Sequence, residues 1–304
     1  MKKPILVTGS HRSGTTWVGK MIAVSTDVIY IHEPFNLTHD PGICGAKFDY
    51  WFTYITEENQ SQYYRHLKNT FTFRYNLIGK LRKIRSGKEL KRVVNEYKRF
   101  YKYRLHRKRP LIKDPIALFS AEWLAKTFDM DVIVLIRHPA AFAGSLKRIN
   151  WTHDFSHFLK QPLLMRDHLY PFEKEIQDYT DNQHDIIDQG ILLWKLIHAM
   201  IIKYQNKHKD WIFIRHEDIS RDPLHHFKNI FDRTGLEFSK DIQKEVRTYT
   251  DSSNPGEAHR HDHIRLDSKS NIYNWKNRLT DTEIKRTREQ VEYISKEFYS
   301  DDDW

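Results

Sequence analysis

The chain of 304 residues contains one cysteine, Cys44, so an intrachain disulfide is excluded and a reducing compartment is compatible with it. Glycine and proline are sparse, 11 and 10 residues, while hydrophobic residues make up 39%, which excludes a collagen-like or disordered chain. No run of about 18 apolar residues occurs, so no membrane-spanning helix is expected. The opening MKKPILVTG has too short an apolar stretch for a signal peptide and no cleavage pattern; the expectation is a cytoplasmic protein. Acidic residues are in deficit: 40 Asp and Glu face 50 Lys and Arg, a formal charge of +10. That excess favours anionic partners without choosing among nucleotides, nucleic acids, acidic glycans and anionic lipids.

A further absence is more specific. The stretch LVTGSHRSGTTWVGKMI, residues 6–22, has the glycine spacing of a phosphate-binding loop, Gly9 and Gly14, but Thr15 and Thr16 stand where the Walker lysine and its hydroxyl neighbour belong. The nearest cation is Arg12. Such a loop still offers free amides and the positive end of a helix dipole to an anion. Arg12 adds fixed charge and a planar fork of donors. Read alone, the two glycines are an ordinary strand-to-helix turn; with the arginine and paired threonines they point to anion binding.

Strands are expected at 4–7, 28–31, 111–112, 132–136 and 211–214, with helices at 15–24, 117–128 and 186–204. The alternation implies an α/β fold: a single domain, 1–304, with a central parallel sheet flanked by helices, of the P-loop NTPase-like kind. Ligands in such sheets bind beyond the carboxyl ends of the strands, where residues 9–16, Glu33, Lys113, Asp114, Arg137 and 216–218 all fall.

The strand 132–136 ends in Arg137, where a magnesium-dependent P-loop enzyme carries a metal-holding aspartate. An arginine there binds an anion directly; as a surface ion pair it would be unremarkable. Ser145 follows in the next helix. HRSGTTW (11–17) and VIVLIRHPAAFAGSLKR (132–148) together resemble the sulfotransferases that use 3′-phosphoadenosine-5′-phosphosulfate (PAPS). FIRHEDI (213–219) and NWKNRLT (274–280) are similar to later blocks of that family. The resemblance implies that Arg12 is catalytic, neutralising charge on the bridging oxygen. It implies that Ser13, Gly14, Thr15, Thr16 and Trp17 belong to the cofactor-binding loop at the 5′-phosphate, and that Arg137 and Ser145 hold the 3′-phosphate. Lys269 is a third contact to that phosphate by the same likeness, and His216 stands where many members carry an adenine-contacting tyrosine. No metal is called for.

Transfer to a hydroxyl needs a proton acceptor. Small-molecule members of the family use a histidine, and its position is taken here by Lys113 in LIKDP. Glu33, in IHEPFN, is the expected base, as in carbohydrate-acting members; Asp114 is the second choice and His32 the third. Glu33 could also be a turn cap or an ion-pair partner. The acceptor implied is a carbohydrate or glycolipid. The alternatives are a P-loop kinase using magnesium-ATP and a non-catalytic anion- or membrane-binding protein of the same fold.

Residues 65–109 hold seventeen Lys or Arg against Glu89 and Glu96, with aromatics interleaved. They read as a basic helical insertion, about 55–110, between the second and third strands. It is a solvated helical pair, a membrane-surface element, or a lid for an anionic or glycolipid acceptor. No nucleic-acid fold signature accompanies the charge. HRHDH (259–263) reads as a solvated loop before a metal site, and Trp194 and Trp275 as packing residues.

Overall fold

The structure is a computed structural model that describes residues 2–82, 84–257 and 264–304. Five parallel strands form one sheet in the order β2-β3-β1-β4-β5: β1 Ile5–Gly9, β2 Val28–His32, β3 Arg109–Lys113, β4 Asp131–Ile136 and β5 Ile212–Arg215. The sheet is covered on both faces. On β1 and β4, Leu6, Val132, Val134 and Ile136 pack into one core, while Ile5, Val7, Ile133 and Leu135 pack into the other. The first core is closed by the helix Ile186–Lys207, which buries Trp194 and Tyr204; the second by α1, Thr15–Ile22, and the helix Pro223–Arg233.

The strand and helix expectations hold in kind and shift at their ends. β3 is five residues rather than two, because Arg109 is a strand residue and not part of the basic surface. Its guanidinium donates to the Lys3 and Thr234 carbonyls and pairs with Asp131, which satisfies a buried charge. The insertion therefore ends before residue 109. The helix expected at 117–128 begins as a 3-10 turn, Pro115–Ser120, with the Asp114 carboxylate accepting from the Ile116 N–H at 3.0 Å, and becomes helix α5 at Ala121–Phe128.

Between β2 and β3 lie α2 (Tyr64–Phe71), α3 (Leu77–Leu81) and α4 (Gly87–Leu105). Ser86 caps α4 by accepting from the Glu89 N–H at 3.3 Å. Val93 and Phe100 of α4 pack with Phe73 and Tyr75 against Ile31, covering the sheet edge at β2. Helix α6, Pro139–Ile149, follows β4 and starts on Pro139, whose missing N–H costs nothing at that position. No helix among the described residues is long and apolar enough to cross a membrane.

Candidate functional site

The turn after β1 is held by close approach. A Cβ on Gly9, at φ 124°, would lie 2.1 Å from the Leu135 carbonyl oxygen on β4, so only glycine lets the two strands run together there. Arg12 follows with φ 63°, a left-handed backbone that a long side chain seldom adopts, and Gly14 with φ 89°. The first helical bond runs from the Val18 N–H to the Gly14 carbonyl at 3.0 Å, so the amides of Thr15, Thr16 and Trp17 precede it at the dipole's positive end. The Ser13 amide instead turns back to the Ser10 carbonyl at 3.3 Å, and the Ser13 hydroxyl donates to the same oxygen. Ser13 is thus a buried strut of the turn rather than a wall residue, unlike its four successors.

Those successors line a cavity of about 310 Å³ at the carboxyl ends of the strands. Arg12, Glu33, Arg137 and His216, from the strand ends, and Ser145 open onto it as well, whereas Lys113, Asp114, Glu217 and Asp218 do not. The Arg12 Nε–H donates to Ser145 Oγ at 3.1 Å, and an Arg137 Nη1–H donates to the Arg12 carbonyl. Burial pushes the Arg137 guanidinium down to about 10, against the pull of buried Glu217. Its Nε is buried with no hydrogen-bond partner among the described residues. Burial, then the charges of Arg148 and Arg278, lowers Arg12 too. Among the described residues four arginines therefore line one cavity, and a buried unpaired donor suits an anion-binding role. That donor set fits two phosphate-type groups: one at the α1 amides and Arg12, the other at Arg137 and Ser145.

His216 is fixed as a neutral ring. Its Nδ1 lies 3.1 Å from the Ser13 carbonyl and must donate, and burial pushes the imidazole down to about 3. Trp17 meets it edge-on, ring centroids 6.2 Å apart. The Arg137 carbonyl accepts from Trp194 Nε1 at 2.8 Å, so Trp194 packs and also positions the β4 terminus. Trp275 stacks on His138 and stays off the cavity wall.

Glu33 also lines the cavity, with φ 40°. Its carboxylate pairs with buried Lys113 and accepts from Asn36 Nδ2 at 3.0 Å. Burial pushes the Glu33 carboxyl up, but the Lys113 charge and the hydrogen bonds outweigh it and leave the group below its ordinary range. The two substitutes behave differently. Asp114 is fully buried, is absent from the cavity wall, and accepts from the Phe35 N–H at 2.7 Å and the Ile116 N–H. It ties the loop after β2 to the loop after β3, and burial holds its carboxyl up at about 7. The His32 side chain is mostly exposed and also off the wall.

Lys269 departs from expectation: it is exposed and does not reach the cavity, whereas its neighbours Ser268 and Asn271 do. The C-terminal cation that reaches the wall is Arg278, inside NWKNRLT but not singled out by the sequence. Arg148 was missed as well, although it sits three residues after Ser145 and so on the same helical face. The HRHDH segment lies outside the described residues. Among the described residues no group of three or more His, Cys, Asp or Glu is arranged to hold a metal.

Comparison with known proteins agrees with this geometry. Residues 4–240 match the model of the sulfotransferase family, and the chain belongs to that family. No curated protein sequence matches it. Among solved structures it is similar to the sulfotransferase domain of the curacin biosynthetic pathway, at 12% identity and a TM-score of 0.51, over 96% of this chain and 98% of that one. It is also similar to the sulfotransferase domain of the Synechococcus PCC 7002 olefin synthase, at 17% identity, 96% of each chain and a TM-score of 0.46. Mouse sulfotransferase SULT7A1, solved with PAP, matches at 13% identity over 99% of this chain and 87% of that one, with a TM-score of 0.49. At 12% identity the likeness to the curacin-pathway domain speaks for the fold alone.

Proposed function

We propose that the protein moves the sulfuryl group of PAPS to an acceptor hydroxyl of a carbohydrate or glycolipid, with Glu33 as the base. The observation that carries this reading is the meeting of Arg12, Arg137, Ser145, the amide end of α1 and Glu33 in the lining of one cavity. When bound, the donor supplies an activated sulfuryl group and leaves as adenosine 3′,5′-bisphosphate. The amides and hydroxyls of Thr15 and Thr16 hold the 5′-phosphate, and Arg137 and Ser145 the 3′-phosphate. Arg12, which lines the same cavity, would stabilise the charge that develops on the bridging oxygen. Glu33, kept ionised by Lys113, takes the acceptor's proton as the new oxygen–sulfur bond forms. His11, Trp51 and Trp151, which also line the cavity, shield the reacting groups from water.

The acceptor class rests on Glu33 as base and on Lys113 at the family's histidine position; the two tryptophans add flat apolar faces of the kind sugar rings lie against. In the same reading residues 1–304 form one sulfotransferase domain, with the basic helices inserted between β2 and β3, in a cytoplasmic protein with one reduced cysteine. Arg278 replaces Lys269 as the third contact to the 3′-phosphate.

The test is calorimetric titration with adenosine 3′,5′-bisphosphate and with magnesium-ATP, on the native protein and on Arg137→Ala and Ser145→Ala. The expected result is binding of the bisphosphate alone, weakened in both variants. A preference for magnesium-ATP would replace this reading with a kinase. Binding of neither ligand would leave a non-catalytic member of the fold.

A further inference from the structure

Helix α4 has three faces. Val93 and Phe100 point inward and bury against β2, with Tyr103 packed beside them. A second row, Leu90, Val94, Tyr97, Tyr101 and Leu105, recurs at spacings of four, three, four and four, so it forms one continuous stripe. Every member is exposed, Leu105 by 66% and Tyr101 by 57%. Ile78 and Leu81 of α3 are exposed as well, 68% and 41%, so among the described residues this apolar surface is left uncovered. Lys91, Lys98 and Lys102 form a third row directly beside the stripe, all exposed.

The acidic residues of this segment are committed within it. Glu96 accepts from the Tyr75 hydroxyl at 2.7 Å and from Arg92 Nε at 3.0 Å; Glu89 accepts from the Arg85 N–H at 2.7 Å. Nothing acidic in the segment therefore offsets the lysine row. At the stripe's centre a cleft of about 340 Å³ is lined by Phe73, Arg74, Tyr75, Tyr97, Tyr101 and Arg104. Two guanidiniums flanked by exposed tyrosines suit a phosphodiester headgroup whose glycerol and chains lie along apolar neighbours.

We propose that the outer face of α4, with α3, docks on the surface of an anionic lipid bilayer, with a lipid phosphate seated between Arg74 and Arg104. Charge selects this occupant. A second copy of the chain would bring the same basic row against this one, whereas an anionic headgroup layer neutralises it and the interfacial zone takes up the tyrosines and leucines. The docked element is tied to the loop that carries Glu33 and Asn36. The Asn76 N–H donates to the Gly42 carbonyl at 2.7 Å, Asn76 Nδ2 donates to the Pro41 carbonyl at 3.0 Å, and Lys80 pairs with Asp40. Docking is independent of the sulfuryl-transfer reading, since it rests on residues outside the cavity.

The experiment is co-sedimentation of the full chain with vesicles of phosphatidylcholine alone and with about one third phosphatidylglycerol, at low and physiological salt, beside sedimentation velocity without lipid. Binding is expected only to the anionic vesicles, and weaker as salt rises. Replacing Lys91, Lys98 and Lys102 together by Ala should reduce partitioning by roughly a hundredfold. Tyr97→Ser with Tyr101→Ser should reduce it by roughly tenfold at unchanged net charge. These side chains are exposed, so both variants should keep the native circular dichroism spectrum and melting temperature. Equal binding to both vesicle types, binding to neither, or binding that both variants retain would overturn the proposal. So would self-association without lipid that the tyrosine variant abolishes, which would assign the face to a second copy.

Discussion

Arg12 Nε–H donates to Ser145 Oγ at 3.1 Å, joining residues 133 positions apart and linking the turn after β1 to the helix after β4. The contact makes the two anion-binding segments one unit. Arg137 completes it by donating to the Arg12 carbonyl, which holds the left-handed backbone at that residue.

Ser145→Ala should weaken bisphosphate binding by roughly ten- to a hundredfold, the range for losing one hydrogen bond to a charged group. Arg12→Lys keeps the charge but loses the planar fork, so it should bind the bisphosphate within a few-fold of native while turnover falls further. Calorimetry and a turnover assay on both variants separate the roles. Equal losses in binding and turnover for Arg12→Lys would reduce Arg12 to a binding residue.

Glu33→Gln should leave bisphosphate affinity within about threefold of native and lower kcat by roughly 10²- to 10⁴-fold, the range for removing a general base. Asp114→Asn should instead lower thermal stability, because Asp114 holds two backbone N–H groups of adjoining loops and does not open onto the cavity. Turnover of Glu33→Gln near the native rate would remove Glu33 from the chemistry.

The Lys113–Glu33 pair fixes a pH dependence. The folded-state pKa of Glu33 is depressed. Its contribution to stability is therefore present above the unfolded value, about 4.3, and is lost as pH falls through the lower folded value. In the native enzyme the acid limb of kcat assigned to this group should lie below the ordinary carboxylate range. Lys113→Met removes the opposing charge and leaves burial, the largest influence, to raise the carboxyl. The acid limb should then move upward toward neutral pH. A pH–rate profile that does not move in Lys113→Met would show that Lys113 does not set the ionisation of the base.

Arg109→Ala should destabilise the fold by roughly 2–4 kcal/mol in urea unfolding, because it strands two carbonyls and leaves the partly buried Asp131 with Lys3 as its remaining ion-pair partner. Bisphosphate affinity of the folded variant should not change, since Arg109 lies at the amino end of β3, away from the cavity. A cost within about 0.5 kcal/mol would place the residue among surface arginines.

The sheet was legible from sequence because its strands are short apolar runs with a polar or glycine stop, and VIVLIR shows both features. The site was legible for a related reason. In a parallel sheet the strand ends share one edge, so finding the stops also finds the residues that meet there. Arg148 could have been found by helical spacing from Ser145. Arg278 could not, since it reaches the cavity from a segment whose approach no local pattern encodes. Arg109 was misread because a basic run looks the same whether its last member is solvated or enclosed by carbonyls.

By itself the sequence determined the parallel α/β architecture, the loop without a Walker lysine, the arginine at the end of β4 and the Glu33 position, since each is a local pattern of apolarity, glycine and charge. Only the tertiary structure decided which charged residues face the cavity. It paired Lys113 with Glu33, enclosed Asp114 between two loops, turned Lys269 outward and left the α4 stripe uncovered. Those outcomes depend on distances between segments far apart in the chain, and on which side of a helix packing happens to bury, neither of which periodicity can supply.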